Sequence, residues 1–95
     1  MNFWLTEPAR KDLLDIWEFT ATQWDVAQAD RYIEAIEARF AWLTQHPGLW
    51  KPRPDIRPGI YTCTEQSHVI VFRKRNGDIE ILRVLHGRMD PGRHA

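Results

Sequence analysis

His68-Val69-Ile70-Val71-Phe72-Arg73-Lys74-Arg75-Asn76-Gly77-Asp78-Ile79-Glu80-Ile81-Leu82-Arg83-Val84-Leu85-His86 reads as two apolar runs folded about an Asn-Gly turn. Both turn residues accept the positive φ that a type I′ hairpin demands. A two-residue loop then fixes the register: Arg75 faces Asp78, Arg73 faces Glu80, Val71 faces Leu82 and Val69 faces Val84. The first two pairs join opposite charges and the next two are apolar, so the register is self-consistent. Strict alternation sorts the side chains onto two faces. One face carries Val69, Val71, Leu82 and Val84. The other carries Ile70, Phe72, Ile79, Ile81 and Leu85, with His68 and Arg83 among them.

Upstream, Ile60-Tyr61-Thr62-Cys63-Thr64 has the same period of two and predicts a strand joined to His68 through a turn at Glu65-Gln66-Ser67. Residues 47–58 hold Pro47, Pro52, Pro54 and Pro58, a density that no helix or inner strand tolerates, so an extended connector is expected. Earlier still the period changes to that of a helix. Ala9, Leu13, Ile16, Trp17, Thr20 and Trp24 recur at the three-and-four spacing of one helix face, behind Thr6 as N-cap. Asp12, Asp15 and Glu18 fall largely off that stripe. Ala29, Ile33, Ile36, Phe40 and Leu43 make a second stripe, opened by the Asp25/Gln28 capping pattern and closed by Pro47-Gly48. Few residues separate the helices, so they pack antiparallel. Asn2-Phe3-Trp4-Leu5 reads as a first strand. The expected fold is α+β, in the order β-α-α-β-β-β, with a helical hairpin on a small, mainly antiparallel sheet. The hairpin can cover one face only. The other is expected to be partly exposed or covered by another chain.

Ninety-five residues are enough for one domain, spanning 1–95. Residues 1–50 carry four basic against eight acidic side chains, and residues 51–95 carry nine against five. The C-terminal half is therefore the face for an acidic partner, unless the imbalance is an ordinary solvated surface. Cys63 is alone, which excludes an internal disulfide, and its place in an alternating strand reads as an inert thiol. No signal-peptide pattern, membrane-length apolar run, glycine-rich phosphate loop or metal-ligand spacing is present. A cytoplasmic protein without metal or cofactor is expected.

Arg83 and His86 are the sharpest candidates for chemistry. With Arg57, Arg73 and Arg88 they could hold a phosphodiester and assist its cleavage. Metal-free RNA cleavage also needs a paired acid and base, and the sequence shows no convincing pair. In the alternative reading, Arg83 crosses the sheet edge to an acid and His86 closes its strand through hydrogen bonds. Trp17 fits the core, whereas Trp42 and Trp50 are candidates for partner anchors.

Ala9-Arg10-Lys11-Asp12-Leu13-Leu14-Asp15-Ile16-Trp17, Ala29-Asp30-Arg31-Tyr32, Phe40-Ala41-Trp42-Leu43 and His46-Pro47-Gly48 resemble the helical hairpin of ParE toxins. So do His68 to Arg73 and Ile79 to Asp90, with Arg-Val-Leu-His-x-x-Met-Asp as the most specific piece. ParE toxins belong to the RelE/ParE superfamily of bacterial type II toxin–antitoxin modules, which stabilise plasmids or act chromosomally. The resemblance implies a non-enzymatic toxin that inhibits DNA gyrase and is neutralised in a hetero-oligomer by a ParD-like antitoxin. It implies no direct DNA binding and no membrane role. Target-binding candidates are Arg83, His86, Arg88, Met89 and Arg93. Antitoxin-binding candidates are Trp17, Trp42, Trp50, Ile70, Phe72 and Ile81. The other branch of the superfamily, RelE-like ribosome-dependent mRNA endonucleases, would use Arg57, Arg73, Arg83 and His86.

Overall fold

The computed structural model describes residues 1–94. The chain runs β1 (Phe3–Leu5), α1 (Glu7–Gln23), α2 (Val26–Gln45), β2 (Lys51–Pro52), β3 (Ile60–Glu65), β4 (His68–Arg75), β5 (Asp78–His86) and α3 (Pro91–His94), with a 3-10 turn at Pro47–Leu49. The five strands form one sheet in the order β1-β5-β4-β3-β2. β1 lies parallel to β5 and the other neighbours are antiparallel, so the α+β fold is as expected.

Both helix starts follow from their capping residues. The Thr6 hydroxyl accepts from Ala9 N–H at 3.2 Å, and the Asp25 carboxylate accepts from Gln28 N–H at 2.7 Å. Each satisfies a donor that the first helical turn leaves without an internal partner. The reciprocal half of the Asp25 capping box is absent, because the Gln28 side chain accepts from Arg31 instead. Ala9 and Ile16 of α1 and Ile36, Phe40 and Leu43 of α2 are buried against Ile70, Phe72, Ile79, Ile81 and Val84 of the sheet. Trp24, placed on the α1 stripe by spacing, stands in the turn between the helices and is 76% exposed. The proline-rich connector holds the two-residue β2. It is an edge strand, where Pro52 leaves no ladder bond unmade on its outer side.

The β4–β5 hairpin keeps the expected register only near its turn. Asn76 and Gly77 have φ of 53° and 83°, and Arg75 faces Asp78 while Arg73 faces Glu80. Beyond Phe72–Ile81 a β-bulge intervenes. Val71 faces Arg83, Ile70 faces Val84 and Val69 faces Leu85, and Leu82 has no partner of its own. The expected Val71–Leu82 and Val69–Val84 pairs are therefore corrected. Unbroken alternation would point Arg83 into the core with Ile79 and Ile81, a burial that a guanidinium resists without a partner. The extra residue turns Arg83 outward and exchanges Leu85 for Val84 on the helix face.

The second face is covered differently from the expectation. Ile60, Val71 and Leu85 are buried there, with Ile56, Val69 and Leu82 packed around them. Ile56 comes from the connector, so this chain supplies part of the lid itself. Farther along the same face Glu80 is buried at 3% exposure, bonded to Arg73, with Arg75 at 3.4 Å.

Candidate functional site

The end of β5 is where α1, α2 and the C-terminal tail meet. Asp12, which spacing placed off the apolar stripe, is the hinge of this region. Its carboxylate accepts from Arg83 Nε at 2.7 Å and Nη2 at 2.9 Å, and from Val84 N–H at 2.9 Å. The remaining Arg83 terminal nitrogen, Nη1, donates to the His94 carbonyl at 2.8 Å. One guanidinium thus ties β5 to α1 and to α3. The hydrogen bond from Arg83 to Asp12 raises the arginine pKa further, so the charge is permanent. Of the two readings of Arg83 the structure supports the crossing to an acid.

Beside this clamp stands a group that the sequence did not disclose. His68 and His86 are cross-strand partners with ring centroids 5.5 Å apart, edge to face. Tyr32 Oη on α2 lies 2.6 Å from His68 Nδ1, and Arg88 N–H donates to His86 Nδ1 at 3.2 Å. Sequence separation hides the Tyr32–His68 contact, because the two stand 36 positions apart. Burial, then the neighbouring His86, lowers the His68 pKa, against a smaller opposing effect of Asp12. The folded state therefore resists a proton that the unfolded chain accepts near the ordinary histidine value of about 6.5. Stability linked to His68 is fully present above that value and is lost as pH falls through it towards the folded pKa. Replacing His68 with glutamine is expected to flatten the acid side of the midpoint-versus-pH curve, as followed by thermal unfolding between about pH 7 and 5. A curve of unchanged slope would remove His68 as the cause.

After His86 the tail turns outward. Met89 N–H donates to the His86 carbonyl at 2.9 Å, and Asp90 caps the short α3 through Gly92 N–H at 2.9 Å. His86, Arg88, Met89 and Arg93 are exposed there, next to Arg83. The target-binding candidates are accordingly neighbours along one rim. The ribonuclease candidates are not. Arg73 lies on the opposite face of the sheet from His86, five residues along β4 from its partner His68, roughly 17 Å by strand rise. Arg57 sits in the connector near Ile60, away from the β5 end.

The antitoxin candidates divide. Ile70, Phe72 and Ile81 are 0% exposed beneath the helices and are corrected to core residues, since a partner cannot reach them without unfolding the sheet. Trp50 packs edge-on against Tyr61 and Phe72, and its indole N–H donates to the Leu43 carbonyl at 2.8 Å. Trp17 bonds Asp30 of α2 at 2.9 Å and joins the helices. Trp42 is half-buried, stacked on His46 at 4.5 Å and under the Arg39 guanidinium at 4.8 Å. Burial raises the Cys63 thiol pKa, in keeping with an unreactive sulfur. Among the described residues no group of three or more His, Cys, Asp or Glu is placed to hold a metal, and no helix is long and apolar enough to cross a membrane.

A helical hairpin packed on a small mixed five-stranded sheet is the RelE/ParE class of toxin fold. The family model for the ParE toxin of the type II toxin–antitoxin system parDE matches residues 4–91. Toxin ParE1 of Caulobacter vibrioides is 36% identical over 95% of this chain and 93% of its own length. Toxin ParE1 of Mycobacterium tuberculosis is 31% identical over 98% and 96%. A solved structure described as the chromosomal ParDE TA system from P. aeruginosa superposes with a TM-score of 0.79 at 25% identity, covering 90% of this chain and 95% of that one. The chain belongs to the ParE toxin family of type II toxin–antitoxin systems.

Proposed function

We propose that this toxin inhibits DNA gyrase in the cytoplasm without covalent chemistry, and that a ParD-like antitoxin neutralises it in a hetero-oligomer. The observation that carries the non-enzymatic reading is the state of Arg83. Its Nε and both terminal nitrogens are engaged by Asp12 and the His94 carbonyl. A guanidinium held in that way positions the tail rather than stabilising a phosphoryl transition state. The dispersal of Arg57, Arg73 and His86 supports the same reading. The exposed rim of His86, Arg88, Met89 and Arg93 is the surface offered to the target, with Arg83 as its positioning residue. The ParDE system solved from P. aeruginosa supports an antitoxin partner.

Expression of the chain alone is expected to arrest growth with filamentation and a DNA-damage response, and the purified protein to inhibit gyrase supercoiling. Co-expression of the antitoxin encoded beside it should relieve both. Arrest with undamaged DNA, active gyrase and translation-dependent mRNA cuts would sink the gyrase reading in favour of a ribosome-dependent endonuclease.

A further inference from the structure

At the root of the tail β4 begins and β5 ends in a histidine. Gly87 N–H donates to the Ser67 carbonyl at 2.8 Å, so the His68–His86 pair beside it is a non-hydrogen-bonded one, in which opposite side chains approach most closely. The bonds around the two rings fix where their protons stand. A backbone N–H can only donate, so His86 Nδ1 accepts from Arg88 at 3.2 Å and the neutral ring carries its proton on Nε2. Tyr32 Oη accepts the Ser67 N–H at 3.4 Å and lies 2.6 Å from His68 Nδ1, the one acceptor within reach of its own proton among the described residues. His68 is therefore held in the same tautomer. Burial lowers its pKa and keeps that ring neutral.

Among the described residues no hydrogen bond engages either Nε2. His86 is exposed, and the half-buried His68 has no buried nitrogen without a partner, so both Nε2–H groups reach solvent. The nearby carboxylates are committed elsewhere. Asp12 holds Arg83 and Val84 N–H, and Glu65, paired with His68 across β3, holds Arg39 at 2.8 Å. Asp90, the acid of the tail, is turned to Gly92 N–H. Around His86 stand the exposed Arg88 and Arg93 and the 36%-exposed Met89.

We propose that His86 donates its Nε2–H to a carboxylate of the toxin's protein target, and that Tyr32 and His68 are the positioning residues that hold it for that contact. Tyr32 fixes the His68 ring through Nδ1, and the edge-to-face contact at 5.5 Å passes the orientation on to His86. Arg88 and Arg93 supply the charge that draws an acid to the rim, and Met89 gives the apolar contact beside it. A nucleic-acid phosphate would answer the donor and the cations but set Met89 against a polar backbone. The inference rests on the gyrase reading above and names the chemistry by which the target is recognised.

The test uses the full-length toxin with purified gyrase, reading inhibition of supercoiling, and nitrogen NMR of the imidazoles in the free toxin. Both rings are expected to show a protonated Nε2 and a bare Nδ1 at neutral pH. His86→Leu should raise the inhibitory concentration about tenfold or more, because the target's carboxylate is left without its donor. His86→Gln, whose amide offers an N–H near the same place, should stay within about threefold of the parent. Tyr32→Phe keeps the ring and removes the proton. It should turn His68 into a mixture of tautomers and weaken inhibition about threefold to tenfold. Thermal unfolding checks that each variant is folded. A proton on His86 Nδ1 in the free protein, full inhibition by His86→Leu or by Tyr32→Phe, or equal losses in His86→Leu and His86→Gln overturns the proposal. So does DNA binding by the toxin alone that His86→Leu abolishes, since the occupant is then a phosphate. A parent toxin that leaves gyrase active would instead overturn the gyrase reading on which the proposal rests.

Discussion

Replacing Phe40 with alanine is expected to cost about 3–5 kcal/mol of stability, measured by urea unfolding. The ring is 0% exposed, packs against Phe3 at a centroid distance of 5.5 Å and stands in the cluster that joins α2 to the sheet. Its removal takes away the transfer energy of an aromatic side chain and leaves a cavity that sheet and helices cannot close together. Domains of this kind have about 5–15 kcal/mol in total, so the variant sits near the limit of folding. The control is Phe19 on α1, which is 67% exposed. Phe19→Ala should change stability by no more than about 0.5 kcal/mol. Equal losses at the two positions would show that burial is not what distinguishes them.

Replacing Asp12 with alanine is expected to cost about 3 kcal/mol, a fall of roughly 15 °C in midpoint for a domain of this size. The loss exceeds that of an ordinary surface ion pair because two groups are stranded together. Arg83, with a side chain 25% exposed, loses its carboxylate, and the Val84 N–H loses its acceptor. Breaking a largely buried pair from one side leaves an uncompensated charge, whereas removing both partners is far milder. The double variant Asp12→Ala with Arg83→Met should therefore lose clearly less than the sum of the two single losses. Additive losses would show that the two residues act independently. The same substitution is expected to release α3, because only Arg83 then reaches the His94 carbonyl and its own orientation is no longer fixed.

Local chemistry made much of this fold legible. Thr6 and Asp25 mark helix starts through their own side chains. The Ala29-Ile33-Ile36-Phe40-Leu43 stripe marks the buried face of α2, although Ile33 is only half-buried. Asn76-Gly77 announces its turn by backbone preference alone. What stayed hidden depends on contacts between distant residues. Asp12 looks like a solvated helix residue until β5 is laid beside it, 71 residues later. Tyr32 has no sequence sign of its imidazole partner. The second face looked unpartnered because nothing in Pro54-Asp55-Ile56-Arg57-Pro58 signals that Ile56 folds back over it. Trp50 and Phe72 looked available to a partner because hydrophobicity does not reveal which side of a small sheet the helices occupy.

The bulge in β5 has a practical consequence for exchanging parts between relatives. Residues before Leu82 follow one alternation and those after it the other, so the strand has two phases joined at Leu82-Arg83. Pairing that keeps both residues but flattens the bulge would exchange the inward and outward positions of every side chain beyond it, whereas deleting either residue restores plain alternation with Val84 still inward. In the flattened pairing Val84 would leave the core and Leu85 would take its place. Chimaeric toxins built from this chain need their junctions upstream of Ile81 or downstream of Val84, with Leu82 and Arg83 inherited as one unit.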